Sequence, residues 1–290
     1  MAIIWELDFY SRPIIDEAQK KLWEVLICES PTDLTAQAED LFRYAEFLSN
    51  AEVNSLRLRQ AIEQAVQQAI EQGRKPPDKI RFFRRQMTNM ISKACEDTGI
   101  PAYASRRTLM VSQWLDERTQ VYYPTLPNYQ ASSNPSVNLP PPKPLPLPDA
   151  LMGERWSFMS LEAAAFAEMA DWDISFSEAF PLSMFNLQPQ TLIPGLIVYS
   201  GRALPLAGWM SGLEMAFLRF NAQPPQLVLE TGASDAWILA SLTSPSLQAE
   251  AQAFEAAKQQ SGQIHFLAVQ TKPESEAFAG FWLMQQLNLA

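Results

Sequence analysis

Histidine is nearly missing from this chain of 290 residues: His265 stands alone. That excludes multi-histidine metal sites, and it excludes serine or cysteine triads that do not use this one ring. Cysteine is almost as scarce. Cys28 and Cys95 have no metal-ligand spacing and offer at most one disulfide, which points to a reduced, cytoplasmic compartment. No run approaches 18 uninterrupted apolar residues, so no membrane span is expected. The first residues reach Glu6 and Asp8 without an apolar or Arg/Ser-rich leader, so no targeting segment is expected either. Neither GxGxxG nor GxxxxGK[ST] occurs, and Gly208, Gly212 and Gly232 make no phosphate loop.

Basic charge is in short supply overall, with 22 Lys and Arg against 32 Asp and Glu. A uniformly basic nucleic-acid binder is excluded, but a local basic site is not. Residues 1–123 carry 16 basic and 18 acidic side chains, and the remainder carries 6 and 14. Within 74–118 the ratio reverses, with 10 basic against 5 acidic. Hydrophobic residues make up 47% and charged residues 19%, which rules out a disordered chain and suits two domains.

Proline divides the chain. Nine of the 22 prolines fall in 124–148, including the run Pro140–Pro142. Proline fixes φ and lacks a donor, so this stretch reads as an extended linker between domains 1–123 and 149–290. In the first domain, strands are predicted at 3–10, 21–29 and 41–48. A helix with apolar spacing follows from Leu58 to Ile70, capped by Asn54 or Ser55. Then come a strand at 80–83, a helix at 86–96 stopped by Gly99, a strand at 101–105 and a helix at 109–118. Three antiparallel strands followed by alternating helices and parallel strands make a mixed α/β sheet of ribonuclease H-like topology. In the second domain, strands are predicted at 156–161, 192–200, 226–230 and 264–269. Helices are predicted at 203–220, 248–260 and 274–287. That order predicts a diverged duplication, two ribonuclease H-like domains.

A nuclease of this topology needs carboxylates holding two metal ions. Asp8 ends the first strand suitably, but the fourth strand ends in Arg84 and Arg85 and the first helix opens with Arg57 and Arg59. No catalytic residue, metal ligand or cofactor is therefore assigned. Binding is the alternative. Parallel strand ends are where open sheets meet ligands, and they gather Tyr10, Arg12, Arg84, Arg85, Arg106 and Arg107, with Gln86 and Asn89 behind. Arginine forks suit phosphate oxygens. Tyr10, Phe83 and Tyr103 suit stacking of single-stranded RNA bases. The competing reading has Arg84 paired with Asp8 and the other arginines forming a solvated rim.

In the second domain, Glu214 is placed in a helix, Glu230 ends a strand, and Ser234 or Asp235 caps a helix. A metal at Glu214, Glu230 or Asp235 stays open. His265 reads as a satisfied sheet residue. Trp209, Trp237, Phe278, Phe281 and Trp282 read as helical core residues.

Several strings carry a resemblance: Trp5-Glu6-Leu7-Asp8-Phe9-Tyr10-Ser11-Arg12-Pro13, Ile80-Arg81-Phe82-Phe83-Arg84-Arg85-Gln86-Met87, the stretch from Arg202 to Gly212, the stretch from Leu229 to Trp237, and Phe281-Trp282-Leu283. The chain resembles the RNA-binding translation activators of cyanobacteria and of plant and algal plastids. The resemblance implies a non-enzymatic protein that binds messenger RNA, single-stranded or in a 5′ untranslated region. It also implies a role in translation of a photosystem I reaction-centre subunit, in a cyanobacterial form without a transit peptide. The acidic second domain would serve a protein partner. The alternatives are a metal-dependent nuclease and a protein-binding photosystem assembly factor.

Overall fold

The computed structural model describes residues 2–31, 33–131, 143–148, 151 and 153–287. The chain forms two compact units. The first holds β1 (Ile4–Ile15), β2 (Lys21–Glu29), β3 (Arg43–Leu48), α1 (Ser55–Glu71), β4 (Lys79–Phe82), α2 (Thr88–Thr98), β5 (Ala102–Ala104) and α3 (Leu109–Glu117). Their sheet has the order β3-β2-β1-β4-β5. β1, β2 and β3 are antiparallel neighbours, while β1, β4 and β5 run parallel. Strand order and directions agree with the sequence reading and are compatible with a ribonuclease H-like arrangement.

Local signals explain these elements. The Asn54 side chain accepts the Arg57 N–H and caps α1. Leu58, Ala61, Ile62, Ala65 and Ala69 form the buried stripe of that helix. Each fully buried Leu or Ile contributes roughly 2 kcal/mol. Gly99, at φ +76°, closes α2 in the left-handed region that a side chain disfavours. The apolar core lies on the face of the sheet toward α1 and α2, where β1 sends Trp5, Leu7 and Phe9.

The second unit holds β6 (Leu145–Pro146), β7 (Arg155–Glu162), β8 (Ile174–Glu178), β9 (Leu192–Tyr199), α4 (Ala203–Ser211), β10 (Met215–Ala222), β11 (Pro225–Thr231), β12 (Asp235–Ser241), α5 (Pro245–Gln260), β13 (Ile264–Gln270) and β14 (Phe278–Gln285). One sheet has the order β7-β9-β13-β14-β8, the other β10-β11-β12-β6. β9 and β13 are parallel, and the Phe266 ring lies over its register partner Gly195, where a Cβ would come within 2.2 Å of its Cζ.

The helix–strand–helix–strand–helix run expected for the second domain is not the observed order: three strands separate α4 from α5, and a strand follows β13. Gly212 ends α4, so 215–222 is a strand rather than the rest of a helix. Met, Ala and Leu there are good helix formers, but propensity amounts to under about 1 kcal/mol per residue and pairing with β11 overrides it. Residues 278–285 are likewise a strand. β14 lies between β13 and β8 and is buried along most of its length, so its apolar run shows no alternation and imitates helical core spacing. Consequently Trp237 lies on β12, and Phe278, Phe281 and Trp282 lie on β14; only Trp209 is helical.

Residues 132–142 of the proline-rich stretch lie outside the described residues. The two ends of that stretch join the folded units. The Ile15 and Gln130 N–H groups bond to Asn128 and Pro13 carbonyls at 3.1 and 2.9 Å. Leu145 and Pro146 pair with Trp237 and Ile238. A proline is tolerated at a sheet edge, where no partner needs its missing donor.

Candidate nucleic-acid interface

β1 alternates between two environments. Trp5, Leu7 and Phe9 enter the apolar core, while Glu6, Asp8, Tyr10 and Arg12 alternate with them, up to the shift of register after Ser11. On the polar face Glu6, Asp8 and Tyr10 meet Cys28, Leu26 and Glu24 of β2 in register, and Glu6 meets Arg81 of β4. α3 covers this face: the Glu6 carboxylate accepts the Val111 N–H at 2.8 Å in the first turn of that helix. A negative charge suits that end of the helix dipole.

The charges on this face form a continuous ladder. Arg84 Nε donates to Asp8 Oδ1 at 2.8 Å, and Arg12 Nη2 donates to Asp8 Oδ2 at 2.6 Å. Arg12 Nε donates to Glu24 Oε2 at 2.9 Å. Arg118 and the Tyr123 hydroxyl also donate to Glu24. The sequence of charges is thus Arg84–Asp8–Arg12–Glu24–Arg118, three cations and two anions. Taking such groups out of water costs several kcal/mol per ion, and only complete pairing offsets that. Burial alone would raise the Asp8 carboxyl, but Arg12 and Arg84 hold it below its ordinary value of 3.8. Burial and the nearby Glu24 raise the Tyr123 hydroxyl, which therefore serves as a donor.

Arg84 completes one end of the ladder with aromatic contacts. Its guanidinium lies 4.3 Å from the Tyr10 ring centre and 4.5 Å from that of Phe83. The two predicted readings of this site thus divide between its residues. Arg84 is paired with Asp8 and only 8% exposed. Arg12, at 2%, lies inside the fold with both edges bonded to carboxylates, so it is corrected from an RNA contact to a structural ion. Arg107 is buried too, 5% exposed, so its side chain is corrected from an RNA contact to a buried group; its backbone N–H donates to Ser105 Oγ at 3.0 Å. Arg85, Gln86 and Asn89 are exposed on the turn into α2 and its first residues, Arg106 is half-buried, and Tyr10 is half-buried. Arg85 has no paired carboxylate among the described residues. Tyr103 is exposed on β5, with the Lys79 ammonium 5.3 Å from its ring centre.

Glu24, Arg118 and Tyr123 were not singled out from the sequence. The available signal was Glu24 itself, a charge between Trp23 and Val25 inside the apolar run from Leu22 to Cys28.

Glu6 offers a pH test. Burial pushes its carboxyl up to about 7 from 4.5, against the opposing bonds from Ser30 and Val111 and the field of Arg81. A raised folded value means a contribution present in full below 4.5 and lost as pH rises through about 7. Glu6→Gln should therefore stabilise the protein relative to wild type at pH 8 and much less at pH 5. Urea titrations at the two pH values measure this; an equal effect at both would refute the assignment.

Among the described residues, the charges of the second domain pair separately, as Arg219–Glu230 and Lys258–Glu255. Glu214 lies beyond α4, in the link to β10, where its carbonyl accepts the Gly232 N–H at 2.7 Å. Residues 231–235 form the turn of the β11–β12 hairpin, and Asp235 begins a strand rather than capping a helix. Arg219 pairs with the buried Glu230 at 2.6 Å. Among the described residues no group of three or more His, Cys, Asp or Glu is placed to hold a metal, and no helix is long and apolar enough to cross a membrane. His265 is the satisfied sheet residue expected: Nε2 accepts the Leu218 N–H at 2.8 Å and Nδ1 donates to the Gln263 carbonyl at 2.9 Å.

Comparison with known proteins adds a family. Residues 4–118 match the family described as RNA-binding protein Tab2/Atab2 N terminal, and residues 134–285 match RNA-binding protein Tab2/Atab2, C-terminal domain. The chain is 38% identical over 290 residues to the Protein TAB2 homolog, chloroplastic, of Zea mays, spanning 98% of this chain and 71% of that protein. It is 38% identical over 289 residues to the Arabidopsis thaliana protein of the same name, spanning 98% and 74%. No solved structure matches.

Proposed function

This chain belongs to the Tab2/Atab2 family of RNA-binding proteins, and from that premise we propose that it is a non-enzymatic activator of translation that holds a photosystem I messenger through the strand ends of its first domain. The observation that carries the reading is the occupation of Asp8. Both oxygens of the carboxylate best placed for metal chemistry are held by guanidinium groups. A two-metal nuclease needs those lone pairs for cations. Here they fix Arg84 against Tyr10 and Phe83 instead, and the chain beside them carries the exposed Arg85 and Gln86 and the half-buried Arg106.

Arg85 and Arg106 supply the phosphate contacts in this reading, Gln86 a neutral hydrogen-bonding group, and Tyr10, braced by Arg84, an aromatic edge for a base. The acidic second domain repels phosphate and suits a protein partner. Photosystem I messenger specificity rests on the sequence resemblance.

The test is salt-dependent binding of single-stranded RNA to the full chain. Each phosphate contact contributes about 0.7 to the slope of log affinity against log salt for single strands. Arg85→Ala with Arg106→Ala should therefore flatten the slope by about 1.4 and weaken binding at low salt. An unchanged slope in the folded double variant would remove these two residues from the interface. RNA cleaved in Mg²⁺ or Mn²⁺, with activity lost in Asp8→Asn, would restore the nuclease reading.

A further inference from the structure

The other end of the charge ladder has the same construction as the Arg84 end. The Arg118 guanidinium, held by Glu24, lies 4.2 Å from the Tyr122 ring centre, 5.4 Å from Trp114, 5.5 Å from Tyr123 and 5.9 Å from Phe47. From the edge strand β3, Arg43 reaches over the Trp114 ring at 5.3 Å. Cations and rings therefore alternate in the row Arg43–Trp114–Arg118–Tyr122. The row runs from the sheet edge across α3 into the π-helical turn Arg118–Tyr122. Such turns recur at functional sites.

The row is open on its outer side. Tyr122 is 39% exposed and Val121 66%. The Arg43 side chain is 35% exposed, and its ion pair with Glu117 spans 3.6 Å between two exposed groups, a contact worth little to stability. The inner side is fixed. Arg118 is anchored to a fully buried carboxylate, so Tyr122 rests on a guanidinium that cannot swing away. The ordering that a stacked ligand would otherwise have to impose already exists in the free protein.

We propose that this row is a second contact for single-stranded RNA, in which Tyr122 stacks on an unpaired base and Arg43 meets a neighbouring phosphate. The proposal rests on the RNA-binding reading and extends it to a surface built from β3, α3 and the turn after it. Two features favour a nucleobase over a side chain of a protein partner. Every base presents a π face to an exposed ring, and an adjacent guanidinium adds an electron-poor plane to the stack. Arg43, over the Trp114 ring at the other end of the row, also supplies a cation for a phosphate of the same strand.

The experiment uses the full chain with fluorescein-labelled U20 and A20 oligonucleotides, read by anisotropy over a salt series. Tyr122→Leu should weaken binding about 5- to 150-fold, the range for losing one stacked base, without altering the salt slope. Tyr122→Phe should bind like wild type. Arg43→Ala should flatten the slope by about 0.7. Crosslinking of a 4-thiouridine oligonucleotide should label the peptide containing Tyr122. Wild-type binding with unchanged affinity in Tyr122→Leu overturns the platform, whatever else that surface binds. Absence of RNA binding by the wild type overturns both this proposal and the reading beneath it. Failure of the Arg85 and Arg106 variants alone leaves the Tyr122 result standing.

Discussion

Asp8→Ala should destabilise the protein by about 3–5 kcal/mol, the usual cost of breaking a buried ion pair from one side. The substitution leaves Arg12, 2% exposed, and Arg84 without the carboxylate they share. Neither can turn to water, because Arg12 is still held by Glu24 and Arg84 is packed on Tyr10 and Phe83. Asp8→Ala combined with Arg12→Met should recover part of the loss, because it removes one stranded cation. Denaturant titrations of the wild type, both single variants and the double variant give the coupling energy. A loss below about 1 kcal/mol in Asp8→Ala would show that the ladder is not a structural unit. The pH dependence has a defined sign. The Asp8 carboxyl is held below 3.8, so its contribution is complete above that value and is lost as pH falls through the lowered one. RNA affinity separates the structural role from binding. If Arg84 positions Tyr10 for a base, Asp8→Asn should weaken RNA binding under conditions where the protein remains folded.

Acidification should destabilise the second domain through His265. Burial, with Lys258 nearby, holds this ring well below its ordinary 6.5. The reason is geometric. Nε2 accepts the Leu218 N–H, so a proton there would face a donor. The Lys258 ammonium bonds to the Leu218 carbonyl at 2.6 Å, and Glu255 accepts the Phe220 N–H at 2.7 Å. Together α5 and β13 satisfy the outer edge of β10. The unfolded ring titrates near 6.5, so the contribution of neutral His265 is full above that pH and is lost as pH falls toward the depressed folded value. His265→Leu leaves the Leu218 N–H without its acceptor and should cost about 1–3 kcal/mol at pH 8. His265→Gln offers another acceptor and should cost less. Both should flatten the acid limb of the stability curve. Because this is the one histidine in the chain, its ring resonances identify themselves in an NMR titration. A midpoint near 6.5 in the folded protein would refute the assignment.

The RNA reading and the ladder were legible to different degrees. The family strings and the basic excess at 74–118 lie in the linear sequence, and they pointed to RNA without any coordinates. The cluster of arginines at the strand ends was also readable, because β-α-β order sends parallel strand ends to one place. Which of those arginines reach solvent was not readable. Arg12 and Arg85 look alike as letters, yet one is locked between two carboxylates and the other is exposed.

Sequence alone determined the elements whose signals are local: the alternation of β1, the apolar stripe and Asn54 cap of α1, and the stop at Gly99. It also determined the strand order of the first domain, because short connections and alternating helices leave few arrangements. Tertiary structure decided β10 and β14. Their apolar runs suit a helix as well as a buried strand, and only pairing with β11, β13 and β8 selects the strand. It also decided the charge ladder, which joins Arg84 to Asp8 across 76 positions and Tyr123 to Glu24 across 99. A buried charge and an exposed one are the same letter. What distinguishes them is the surface that covers them, and that surface exists only once α3 has closed over the polar face of the sheet.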